Sequence, residues 1–569
     1  KLRANETDAG INLFKLAVNE APDPISDDLF SKVLVNIPTN LFLLGQRNAA
    51  FELAELIEAR AASNHRQLVR LATFYIGIKY ATGARRLAEK AIVIDAKDPL
   101  SYQTLGVAHR LGFNLSGAED AYTKALELEP ESLSLRQSLA EMKRALGKPS
   151  EAEILFDEIL KKDGSDVPAR TGYILSLFDQ NKRAEAEATL IKELTENPTN
   201  AFVMIGAAHW YAANGEPGLA IDHSRQAISL QESAIWAYII LARAYMKQDR
   251  PIDAERVLVT ASSYTSSPTI SFELALANAA SGFYLDAVDA LRKQFFVEDG
   301  KIVTDLDGRI GAEADSFAEL VALERKSVLF SPQDNYDTFR DSELKRLLIL
   351  ENLIAAENST DEELEIAVDA FVDGNDKMRT FRQIYTAKKL LDKGKLPQKA
   401  NQLAQNAVDG VEQSVDVTVP TAAVMADQLY EGRKAAAAAG RALVIPNVER
   451  QTLVRILRGR IEELSGRSSI ASEDYATAEL RLRRALTVLP KDSAWWRSSM
   501  WHLGYVYEKK GDDAKALESY AASYAGGEPS DEKRAVVEGL YTKLNGSLVG
   551  LDKLLAEKKS EEVLSLIHI

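Results

Sequence analysis

Residues 101–130 read SYQTLGVAHRLGFNLSGAEDAYTKALELEP. Tyr102, Leu105, Gly106 and His109 recur at helical spacing, a Gly-Phe-Asn break follows, and Ala118, Tyr122 and Ala125 recur again before Pro130. Two stripes of this period, parted by a short turn, predict two helices of about 12 to 14 residues folded back on each other. Stepping outward in steps of 34 residues reproduces the pattern. Ala50, Ala84, Ala118, Ala152, Ala186, Ala220 and Ala254 form one unbroken column. Alanine is common here, so two coincidences mean little, but seven in register mean a solenoid of stacked hairpins.

Other columns move with the alanines. Leu71, Leu105, Leu139, Tyr173, Ala207 and Leu241 are followed by Ala72, Gly106, Ala140, Ile174, Ala208 and Ala242. Small residues let helix axes approach to the short end of the usual ~8–10 Å range. Gly147, Asn181, Gly215 and Asp249 occupy the turn and tolerate the left-handed conformation that closes a helix. Pro149, Pro217 and Pro251 stand two residues on, where a second helix starts. On these residues the chain resembles the tetratricopeptide repeat family, with His109 where that family usually has a large aromatic. The resemblance covers residues 66–267 and implies an all-α, right-handed α-solenoid.

The reading outside that stretch is less regular. Residues 1–64 are expected to be a degenerate helical cap, with helices at Asn12–Glu20, Ser26–Asn36 and Ala49–Arg60, and with Pro38 and Thr39 interrupting the middle one. Residues 65–295 form the repeat array, six regular units and a degenerate one. Asp299-Gly300, between short β-formers, predicts a hairpin near 295–304, and a loop rich in Asp and Gly runs on to Ala314. Residues 315–444 read as irregular helices: Glu343–Glu357, Asp361–Val372, Arg379–Leu391 and an alanine-rich Ala422–Leu443. A second short array fills 445–527, its last full unit, Met500 to Tyr520, coming after an insertion holding Trp495 and Trp496, and helices follow over 528–563. The last six residues, 564–569, match the translation of a sequencing adaptor, and the chain reads as a fragment at both ends.

Composition narrows the function classes. The 569 residues carry a net charge of −15, which argues against nucleic acid or an anionic membrane surface as partner. No apolar run reaches the ~18 residues of a membrane span. Cysteine is absent, which removes disulfides, thiolate–zinc sites and thiol catalysis from these residues and fits an exported bacterial protein better than a cytosolic one. The six histidines are scattered, and no pair has metal-ligand spacing. Asp305-Leu-Asp307-Gly308 begins like a calcium loop but lacks the remaining ligands. No phosphate loop, nucleophile elbow or cofactor motif is present, so neither metal nor cofactor is expected.

The resemblance instead places function in a concave trough lined by the first helix of each pair. Carried over by position, the lining includes Arg110, Arg144, Phe178, Phe202, His209, Trp236, Ile239 and Arg243, together with Gln137, Glu141, Thr171, Leu175 and Ile205. Aromatics and arginine are the residue types that anchor interfaces. The paired Lys and Asn of a carboxylate clamp are missing, since Val69, Thr73, Gln103 and Val107 stand there. The expected partner is a protein or peptide, apolar, with acidic groups for Arg110 and Arg144, bound without catalysis. A competing reading makes this the lead-in of an enzyme: Leu540–Asp552 is similar to the stretch preceding a thioredoxin-like domain in some bacterial repeat proteins. A solenoid-built transferase has no motif behind it.

Overall fold

The computed structural model describes residues 7–305, 311–327, 336–527 and 530–559. The calcium-loop resemblance at 306–308 and the adaptor-like tail at 564–569 lie outside them. The chain divides into two compact units: Lys1–Lys247, Tyr264–Ile270 and Gln294–Tyr336 form the first, and Gln248–Ser263, Ser271–Lys293 and Asp337–Ile569 the second.

The first unit is a stack of antiparallel helix pairs: His65–Gly77 with Ala81–Ile94, Pro99–Leu111 with Leu115–Leu128, Leu133–Ala145 with Pro149–Lys162, Val167–Asp179 with Arg183–Glu196, and Ala201–Ala213 with Pro217–Leu230. Ile235–Lys247 closes it. Each helix packs on its own partner and each pair on the next, which is how a solenoid avoids needing one large core. All seven alanines of the column have no exposed surface. Small residues are required at the contacts: a Cβ on Gly106 would stand 2.7 Å from the Tyr122 ring, and one on Gly172 would collide with Phe156.

The turn column runs further than residue type announces. Gly45, Lys79, Phe113, Gly147, Asn181, Gly215 and Asp249 all have positive φ, at 34-residue intervals. The residue after each turn from Gly45 to Gly215 donates back to a carbonyl five residues earlier, as in Tyr80 N–H to Tyr75 O (2.7 Å) and Asn114 N–H to His109 O (2.9 Å). That bond closes the last helical turn only if the intervening residue is left-handed. Lys79 and Phe113 therefore adopt a conformation their side chains do not favour.

Pro38 corrects the sequence expectation. It sits third in the helix Asn36–Leu43, within the first turn, where a missing N–H costs nothing. The irregularity lies earlier, where the Ser26–Asn36 helix is replaced by Asp27–Leu29 and a π-turn, Phe30–Leu34, closed by Val35 N–H to Phe30 O (3.1 Å).

After Gln294 the hairpin forms as expected. β1 (Phe296–Glu298) pairs antiparallel with β2 (Lys301–Asp305), and Asp299 and Gly300 both have positive φ, as a type I′ turn needs. The segment expected to be loop up to Ala314 contains a third strand, β3 (Gly311–Ala314), with Ile302 opposite Ala314. A hairpin alone is marginal, and a third strand gives it a second ladder. The helix Phe317–Ser327 follows and is called the insertion helix below.

The second unit repeats the pairing idea with longer elements. Arg379–Asp392 packs on Pro397–Asn406, Arg450–Ala471 on Tyr475–Val488, and Ala494–Lys509 on Asp513–Ala525. Trp495 and Trp496 belong to the first turn of Ala494–Lys509 and not to an insertion. The alanine-rich helix runs Pro420–Ala438. It buries Val424, Met425 and Leu429, and Arg433 adds a charged anchor. Its guanidinium donates to Glu255 (2.9 Å), Asp286 (3.1 Å) and Asn278 (2.9 Å) and lies 3.3 Å from the Phe283 ring centre.

Candidate partner-binding trough

The first helices of the stacked pairs line a cavity of about 650 Å³ in the first unit. Its floor comes from Gln137, Glu141 and Arg144 on one first helix, and from Thr171, Gly172 and Leu175 on the next. Phe202, Ile205, Ile235 and Trp236 continue it across two more pairs. The wall is pinned by Asn200. Its carbonyl caps the N–H of Val203, and its amide donates to Thr171 Oγ1 and Glu193 Oε1, both at 2.9 Å.

Of the eight residues put forward for the trough, three meet here: Arg144, Phe202 and Trp236. Phe202 is the most open, at 74% exposure, on the rim. Trp236 is half-buried in the lining. Arg110 is half-buried one pair earlier and does not reach the cavity. Arg243 is half-buried, with its guanidinium 4.9 Å from the Tyr336 ring.

Three residues move from trough to core. Phe178 is fully buried, its ring 5.0 Å from Trp210 and 5.7 Å from Tyr211. His209 and Ile239 are buried as well. The cause is that neighbours cover the second half of Val167–Asp179, where Phe178 sits, and almost every face of Ala201–Ala213 and Ile235–Lys247. A rule assigning one open stripe per first helix fails for helices clasped on nearly all sides, where Phe202 stays exposed at an N-terminal end and Trp236 half-buried.

Arg144 also carries its own counter-charge. Its Nε donates to Asp179 Oδ2 at 2.8 Å, with both side chains 6% exposed. A buried pair of this kind is costly to separate, so Arg144 does not wait for an acidic ligand. Glu141 is held above the usual glutamate range by burial, against the hydrogen bond from Gln137 (2.7 Å) and the nearby Arg110 and Arg144. The cavity is therefore lined mainly by apolar side chains, with the charge of Arg144 answered from within.

Sequence reading missed the loops that close the cavity, Gln231, Ser233 and Thr265–Ser267, and missed Glu324 of the insertion helix. No 34-residue column contains Glu324, so no signal of that period could have found it. A second cavity, about 730 Å³, lies in the same unit beside Phe51, Tyr75 and Tyr80, where Glu58 is held between Arg86 and Lys90. Burial alone would raise the Glu58 pKa, but the two cations outweigh it and hold it below the usual range. His109, half-buried, meets the Asn114 amide through Nδ1 at 3.1 Å, and burial lowers its pKa.

Among the described residues, no group of three or more His, Asp or Glu is arranged to hold a metal ion. No helix among them is long and apolar enough to cross a membrane. Leu540–Asp552 forms the end of Asp531–Asn545, a turn through Gly546 and Gly550, and the start of Leu551–Lys558.

No family model matches the chain, and no curated protein matches its sequence. Solved structures do resemble it. A tetratricopeptide repeat protein from Parabacteroides merdae is 17% identical over 40% of this chain and 91% of its own, with a TM-score of 0.32. The TPR domain of P58(IPK) is 13% identical over 88% of this chain and 100% of its own, with a TM-score of 0.33. YrrB, a TPR protein with an unusual peptide-binding site, is 18% identical over 32% of this chain and 95% of its own, with a TM-score of 0.26.

Proposed function

We propose that this array of 34-residue helix pairs, tetratricopeptide-like in its period, turns and contact columns, is a protein-interaction scaffold whose first unit receives a partner segment in the trough. One observation carries the reading: an open cavity of about 650 Å³ lies beside the exposed Phe202 ring and Trp236, on two successive first helices. Exposed aromatics at the mouth of a concave, mainly apolar site are the usual anchors of an interface. The partner segment is apolar. The acidic groups expected for Arg144 drop out, because Asp179 already answers that charge.

A photoreactive benzoylphenylalanine at position 202 tests the reading in cells. It should form a protein adduct that is lost when Trp236→Ala is added, with helical circular dichroism unchanged. Truncating such an anchor costs about 2 kcal/mol or more, roughly 30-fold in affinity. Adducts indifferent to Trp236, or none above background, would overturn it.

A further inference from the structure

The insertion helix reaches into the trough of its own unit. Its back is anchored, since Phe317, Leu320 and Val321 have no exposed surface and the Phe317 ring lies edge-on to Phe295 at 5.0 Å. Residues 323–325 meet the array. Leu323 lines a cavity of about 300 Å³ with Phe113, Asn114 and Leu146, in the turns of two early pairs. Glu324 lines the 650 Å³ cavity, and its Oε2 accepts from Thr269 N–H (3.0 Å) and Oγ1 (2.5 Å). The Arg325 guanidinium lies 4.6 Å from the Tyr336 ring, the same ring that Arg243 approaches at 4.9 Å. One short helix thus faces residues spread from 113 to 269.

A partner helix docks in a groove through anchors at i, i+3, i+4 and i+7, so it needs about two turns, roughly 11 Å, of open apolar floor. Here a helix of the same chain already borders that floor through Glu324, held on Thr269. The space beside it falls within the ~300–1,000 Å³ of sites that enclose a small ligand, and so suits a few residues in extended form. The geometry points to the insertion helix as the trough's tethered occupant, and to a partner that presents a short, extended, apolar segment instead of an amphipathic helix. This rests on the trough being the binding surface.

Two displayed libraries separate the outcomes, one of random tetrapeptides and one of 18-residue amphipathic helices. Each is selected against the full chain and against the double variant Leu323→Asp, Glu324→Ala. The tetrapeptide library should yield binders to the unaltered chain, weakened roughly 30-fold by Trp236→Ala. The helix library should yield binders to the double variant alone. Helices that bind both forms equally overturn the tethered-occupant inference and leave the trough reading standing. Binders indifferent to Trp236→Ala, or no binders from either library, overturn the trough reading itself. Hydrogen exchange provides a check without any ligand. Amides 317–327 should exchange as slowly as those of Val167–Asp179, and at least tenfold faster in the double variant while Val167–Asp179 stays unchanged. Exchange at 317–327 as fast as in an unfolded chain before any substitution overturns the inference outright.

Discussion

At the scale of single residues, the turn column separates backbone strain from packing. Gly215 has φ +81°, and nothing lies within 4 Å of where a Cβ would stand. Gly215→Ala should therefore cost only the left-handed penalty, about 1 kcal/mol, read as a shifted urea midpoint with an unchanged slope. Gly172→Ala should cost about 1–3 kcal/mol by overpacking against Phe156. Glu141 offers a pH test. Its pKa is raised in the folded chain, so folding favours its proton, and its penalty grows as pH rises through the ordinary glutamate range and levels off above the folded pKa. Glu141→Gln should raise the Tm at pH 7, and the gain should fade as pH drops below the ordinary range. A gain that grows on acidification would contradict the assigned sign.

At the scale of elements, Pro420–Ala438 is held in part by one buried cation, Arg433. Arg433→Met would leave Glu255 and Asp286 without their cation, a loss of about 3 kcal/mol or more. Burial already pushes Asp286 up to about 6 against the pull of Arg433. Without that pull it rises further, so the folded variant holds a proton that the unfolded chain releases. Acidifying from pH 7 should then recover part of the lost stability, which denaturation at a series of pH values would show. The helices that host the trough teach a related lesson. Ala201–Ala213 was read as presenting one open face, yet its neighbours cover it almost entirely and leave Phe202 at its end in solvent. Helical period tells which residues share a stripe. It does not tell how many stripes the neighbours cover.

Across the whole first unit, two kinds of contact coexist. Pair-to-pair packing is local, so excising one full period, residues 133–166, should keep the helical signal per residue, as expected of a quasi-one-dimensional stack. The contacts of the insertion helix are not local, because Leu323 and Glu324 reach parts of the array far apart in sequence. The same excision should therefore speed hydrogen exchange at 317–327 while the neighbouring pairs stay protected. Retained protection there would mean that the insertion helix is held by β1–β3 and Phe295 alone.

The amino-acid sequence by itself determined the hairpin unit, its 34-residue period, the alanine contacts and the Asp299-Gly300 turn. These depend on neighbours within one or two periods, and such neighbours leave a repeating mark. Tertiary structure alone decided that Phe178, His209 and Ile239 belong to the core, that Asp179 answers Arg144, and that Lys79 and Phe113 take left-handed turns. It also decided that Glu324 closes the cavity. Such outcomes follow from how small rotations accumulate along a stack and bring distant residues face to face, a geometry for which no periodic column of residues exists.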